Sequence, residues 1–255
     1  MDIKKKILPT VKLKHLDLMA AADPNYKEIM TEIVGYKNNW FSRKWKFVSQ
    51  FKVAFLITQE MRDIDPTKLE WQEETCPIKK PANVDFITFQ AMMELQTLFG
   101  AGATEENMLQ VITDSIAIVC YSENHEGDYK SDGDEFQNFK KEILNHSFKE
   151  MFGLYNWIVK DTERSVEDWN SRFFSVEVQD QDYHQAGGDR MGQFNVINTV
   201  KSICEDFNLP FDEAWQMSYN LVQTNSYAKA TANHIQDNMR KLKEAKMNAS
   251  RAQNN

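Results

Sequence analysis

The sequence predicts a mainly α fold: a multi-helix globular bundle with a small β-hairpin or strand element near residues 45–57 and a long C-terminal helix. Three observations carry this expectation. Apolar residues recur at three- and four-residue steps through most of the chain after residue 85, the spacing that lines one face of a helix. Nine Gly and six Pro in 255 residues are too few for a loop-rich all-β chain. No Gly or Pro occurs from Ser218 to the last residue, so nothing there interrupts a helix. The expected organisation is an N-terminal adaptor over residues 1–80, a helical core over 81–217, and a helical arm with a basic tail over 218–255.

In chain order, Ile7, Leu8, Val11, Leu13, Leu16 and Leu18 form an irregular apolar strip, and Tyr26, Ile29, Met30 and Ile33 share a short helical face after Pro24. The pattern then changes period. From Trp45 to Ile57 the odd positions are apolar except Ser49, and the residues are aromatic or mostly β-branched, which predicts one or two strands. Residues 75–81, with two prolines, read as an extended linker.

Thr88 can cap the next helix through its hydroxyl, ahead of Phe89, Met92, Met93 and Gln96 at helical steps. Gly100 and Gly102 end it; without GxxxxGK[ST] they do not form a phosphate loop. A central core helix starts near Thr104 and carries Met108, Leu109, Ile112, Ile116, Val119 and Cys120. Residues 121–135 read as an acidic loop, in which Lys130 spoils the spacing of a calcium site. Phe136, Phe139, Ile143, Leu144, Phe148, Met151, Phe152 and Tyr155 predict one wide-faced helix continuing toward Val159. Residues 161–190 are polar, with Phe173, Phe174, Val176 and Val178 as a short strand and Gly187-Gly188 as a hinge.

The most informative stretch follows. Met191, Phe194, Ile197, Val200, Ile203, Cys204 and Phe207 predict a helix that ends near Phe207 or Asn208, because Pro210 pushes Leu209 out of the helical region. Asp212 and Glu213 suit the positive first turn of a second helix, and Phe211 and Trp215, four apart, form one apolar edge. Tyr219, Val222, Ala228, Ile235 and Leu242 then mark the long arm.

Charge is uneven. Five Lys against Asp2 in residues 1–14, and six Lys or Arg against Asp237 and Glu244 in residues 229–255, make each end about +4. With a net charge of −8, the segment between is about −16. An acidic body repels phosphate, which makes nucleic acid an unlikely partner. Cys76, Cys120 and Cys204 are widely spaced without CxxC, suggesting neither a disulfide scaffold nor a zinc site. Lys12, Lys14 and Asp17 interrupt any signal-peptide core, and no run approaches the roughly 18 apolar residues of a membrane span, so a cytosolic protein is expected. His15, His125, His146, His184 and His234 stand isolated, and GxSxG and HExxH are absent. The expectation is therefore no catalytic residue, no cofactor and no metal, and a protein-binding role for Phe211, Trp215, Tyr219, Val222 and Ile235.

The Thr88-Phe89-Gln90 helix opening, paired with the Phe207–Tyr219 corner, resembles the small helical tail assembly chaperones of tailed bacteriophages. In that group a helical body finishes on an aromatic, an acidic residue, Val/Ala-Trp, x, Met, x, aromatic, followed by a helix; Asp212, Glu213, Trp215, Met217 and Tyr219 fit the form. The likeness covers roughly residues 85–245. It implies a non-catalytic protein of the host cell cytoplasm that self-associates and shields the helical tape measure protein before the tail tube forms. An alternative is a virion structural protein, such as a head–tail connector or capsid-associated protein, that uses residues 45–57 to augment a neighbour's sheet.

Overall fold

The computed structural model describes residues 68–71, 76–102, 107–127, 129–176 and 194–253. Helices dominate them, as the periodicity predicts: α1 (Phe89–Ala101), α2 (Met108–Asn124), α3 (Asp134–Ile143), α4 (Phe148–Phe174), α5 (Asn195–Phe207), α6 (Phe211–Gln216) and α7 (Tyr219–Gln253). A 3₁₀ turn at Val84–Phe86 precedes α1. The strand expected at 45–57, most of the 1–80 adaptor, the hinge at 187–188 and His184 lie outside the described residues. The chain divides into two compact units, Met1–Pro81 with Glu94–Lys160, and Ala82–Met93 with Asp161–Asn255. This division differs from the three consecutive segments expected from sequence.

In the first unit α2 is the central core helix, with Val111, Ile112 and Ile116 to Tyr121 all buried. Its buried hydroxyls cost little, because Thr113 and Ser115 donate to the carbonyls of Leu109 and Val111, four residues back, at 2.8 and 2.6 Å. Residues 121–135 are not simply an acidic loop. Tyr121 belongs to α2, while Asp134 and Glu135 occupy the first turn of α3, where their charge meets the positive helix end. Tyr129 is buried and its hydroxyl donates to Glu94 at 2.6 Å. Burial, then the Glu94 bond, push the phenol well above the usual tyrosine range. Tyr121 packs with Tyr129, Phe136 and Phe139 around it.

The single helix expected from Asp134 onward is broken. Asn145 and His146 donate to the carbonyls of Glu142 and Ile143 in tight turns, and α4 restarts after Ser147. Turn-forming Asn and Ser outweigh the continuous apolar pattern there. Nor are residues 75–81 a free linker where described. Ile78 is buried, and Lys79 and Asn124 exchange two hydrogen bonds at 3.1 and 2.8 Å. The Lys80 ammonium lies over the rings of Trp157 and Trp71, at 3.9 and 4.6 Å from their centroids. The chain around Leu69 and Glu70 crosses α4 at Gly153, where a Cβ would come within 2.6 Å of the Glu70 carbonyl oxygen. Only glycine allows that approach.

In the second unit the chain after Lys160 stays helical to Phe174, correcting the polar loop and strand expected there. Inward positions continue at helical steps through Thr162, Ser165 and Trp169, all buried. Two of them are polar, so a count of apolar residues misses the face. Asp85 supplies the partner of Ser165, while the Thr162 hydroxyl is buried without a hydrogen bond to the described residues. Asp85 accepts hydrogen bonds from Ser165 Oγ and Trp169 Nε1, and Arg164 bridges Asp85 and Asp161 at 3.0 and 2.8 Å. Those carboxylates, Asp161 first, raise the guanidinium above its usual range. The Val84 amide donates to Asp161 at 2.8 Å, so the 3₁₀ turn is pinned to α4.

Candidate protein-binding surface

The surface begins at a corner built from two distant segments. Thr88 and Ser218 form an isolated antiparallel bridge, in which the Phe89 amide donates to Met217 O at 2.7 Å and the Tyr219 amide to Ile87 O at 2.8 Å. Each bridge residue also starts a helix. Thr88 Oγ1 accepts from the Ala91 amide at 3.1 Å, the cap expected from sequence, and Ser218 Oγ stands 3.4 Å from the Leu221 amide. The bridge thereby aligns the N-termini of α1 and α7.

Rings fill the corner. Phe89 is buried, with Trp215 at 5.4 Å and Tyr219 stacked at 6.3 Å between centroids, and Trp215 meets Phe211 edge-on at 5.9 Å. Gln216 donates to Gln90 at 3.0 Å. Upstream, α5 ends at Phe207 as Pro210 predicts, with Asn208 in the left-handed conformation at φ 52° and the Leu209 amide returning to Cys204 O. Asn tolerates that conformation better than other residues with a Cβ. Pro210 caps α6, whose first turn carries Asp212 and Glu213.

The five residues expected to bind a partner divide into two sets. Tyr219 and Val222 are buried and seat the base of α7, and Trp215 is half-buried against Phe89. Phe211 and Ile235 are available, at 47% and 53% exposure. The face expected to bury α5 is also less covered than its periodicity suggests. Val200 and Ile203 are buried, but Phe194, Ile197 and Phe207 are exposed.

What the sequence reading passes over is the full stripe along α7. Leu221, Ala228, Ile235, Leu242 and Ala249 follow one another at seven-residue steps, and all are exposed. Ala232 and Met239, four residues after Ala228 and Ile235, broaden it on the same side. The seven-residue step from Leu221 is the signal that finds it. The base of α7 is tied to α5, where Asp206 accepts from Asn225 and pairs with Lys229, both at 2.6 Å. Lys229, then Asn225, hold the Asp206 carboxyl below its ordinary value. From Asn238 to Ser250 every residue is exposed.

Among the described residues, no group of three or more His, Cys, Asp or Glu is arranged to hold a metal. No helix among them is long and apolar enough to cross a membrane. Compared with known families, curated proteins and solved structures, the chain matches no family model, no curated protein and no solved structure.

Proposed function

We propose that this chain is a non-catalytic tail assembly chaperone of a tailed bacteriophage, acting in the host cell cytoplasm, which binds and shields the helical tape measure protein during tail morphogenesis. The observation that carries the reading is the exposed apolar stripe of α7, a helix face that covers none of the described residues of its own chain. From Asn238 to Ser250, where α7 is exposed on all sides, the helix gains no stability from packing on the described residues, so an apolar partner helix would both order it and be shielded by it. Modest affinity per copy suffices, because many copies side by side along one rod add their contributions. The resemblance at Thr88-Phe89-Gln90 and Phe207–Tyr219 supplies the identity of the rod.

Co-expression with tape measure segments tests the reading. The expected result is co-purification that is lost on changing Ile235 and Leu242 to Asp, with the helical content of the chain retained. Mass spectrometry of finished particles should find the chain absent. Its presence there at fixed stoichiometry would instead identify a virion structural protein, and failure to retain any tape measure segment would end the proposal.

A further inference from the structure

We infer that α7 takes as its ligand an amphipathic helix whose apolar seam is bordered by acidic side chains, that Lys243 and Lys246 set this preference, and that Lys246 opposes parallel pairing with a second copy of α7. The inference rests on the reading of α7 as a partner-binding surface and adds the chemistry of the partner.

The geometry of the stripe comes first. A strict seven-residue repeat is the period of a two-stranded, left-handed coiled coil, in contrast to the 3.6-residue period of a straight helix packed on a globular body. Because Asn225 and Lys229 are engaged with Asp206, the free seam runs from Ala228 to Ala249, roughly 30 Å at 1.5 Å per residue. It is narrow at Ala228 and Ala232 and wide at Ile235, Met239 and Leu242. A complementary helix therefore brings its larger side chains to the alanines.

Charge then selects the partner. Lys246 continues the row of Ala232 and Met239, seven residues on, so it stands in the seam itself; Lys243 follows Leu242 at its edge. Both are exposed, and neither has an ion-pair partner among the described residues. The nearby acid is already engaged. Asp237 is held by Lys241 and Arg240 at 2.7 and 2.6 Å, which lower its carboxyl below the ordinary range. Glu244 faces away from Leu242, two residues before it, and lines one hollow with Lys243 and Met239 without forming an ion pair among the described residues. Two copies of α7 side by side in parallel would set Lys246 against Lys246 within the seam. Like charges at such positions disfavour the wrong partner, and the same lysines attract Glu or Asp beside an apolar seam.

Three labelled helical peptides with one apolar heptad seam, bordered by Glu, by Gln or by Lys, test this on the full chain by fluorescence anisotropy. The Glu peptide should bind roughly tenfold more tightly than the Gln peptide and lose that advantage at high salt, while the Lys peptide binds least. The double variant Lys243→Glu with Lys246→Glu should reverse the order, with circular dichroism showing the helix kept. In sedimentation, Lys246→Leu should increase self-association. Equal binding of all three peptides, an unchanged order in the double variant, or self-association of the unaltered chain that Leu242→Asp abolishes and Lys246→Leu does not strengthen would each overturn the inference. Capture of tape measure segments with no preference for the Glu peptide would sink the inference alone; a clear Glu preference with no capture would sink the proposed function alone.

Discussion

Leu154 and Leu242 are the same residue type in two long helices of one chain, yet Leu154 is fully buried and Leu242 is 62% exposed. The contrast extends to the units that hold them. In the described part of the first unit, α2, α3 and the start of α4 turn their large apolar side chains inward. Every exposed large hydrophobic among the described residues, from Phe86 to Met247, belongs to the second unit. Burying such a side chain is worth about 2 kcal/mol, so leaving many of them in water forgoes stability that the fold could have had. Among the described residues, the first unit uses its large apolar side chains to hold itself together, and the second leaves many of them displayed.

Substitutions can break or sharpen this contrast. The largest effect is expected from Leu154→Ala, which removes fully buried atoms and should cost about 3 kcal/mol in denaturant unfolding. Gly153→Ala should cost about 2 kcal/mol, since the new methyl meets the Glu70 carbonyl carbon at 2.8 Å and backbone has to move; thermal unfolding measures it. Trp215→Ala, at a half-buried ring, should cost roughly 1.5 kcal/mol and lower the helical signal of α7, because Phe89, on which Tyr219 stacks, and Phe211 lose their neighbour at the corner.

Acid should act on the second unit through Asp206 and Asp237. Both carboxyls are held below their ordinary value of 3.8, so their contribution is present above that value and is lost as pH falls through the lowered one. Circular dichroism below pH 3.8 should therefore show the helical signal falling, and Asp206→Asn should remove part of that dependence. Smallest of all, Leu242→Ala should change stability by less than about 0.5 kcal/mol while weakening capture of a partner helix. A cost near that of Leu154→Ala would show that α7 is covered, and the contrast would fail.

Much of the fold is legible in the residue pattern because its signals are local. The cap at Thr88, the stop before Pro210 and the uninterrupted run after Ser218 act within a few residues of themselves, and each appears where the pattern puts it. The errors have two causes. At Asn145 to Ser147 turn-forming residues interrupt an apolar repeat through hydrogen bonds within a few residues, a local signal that a count of apolar positions leaves out. At Thr162 and Ser165 polar side chains occupy core positions, and the partner that admits Ser165 is Asp85, distant in sequence.

For the candidate surface, the sequence by itself determined that α7 is a long helix carrying apolar residues, since backbone propensity and the absence of Gly and Pro are properties of the segment alone. The tertiary structure decided which of those residues stay exposed. Tyr219 and Val222 are consumed in seating the helix, while Leu221, Ile235, Met239 and Leu242 are left in water. The physical reason is that burial belongs to a residue's surroundings: the bridge from Thr88 to Ser218 brings Phe89 against Trp215 and Tyr219 from more than a hundred residues away, and that contact sets the side of α7 left open.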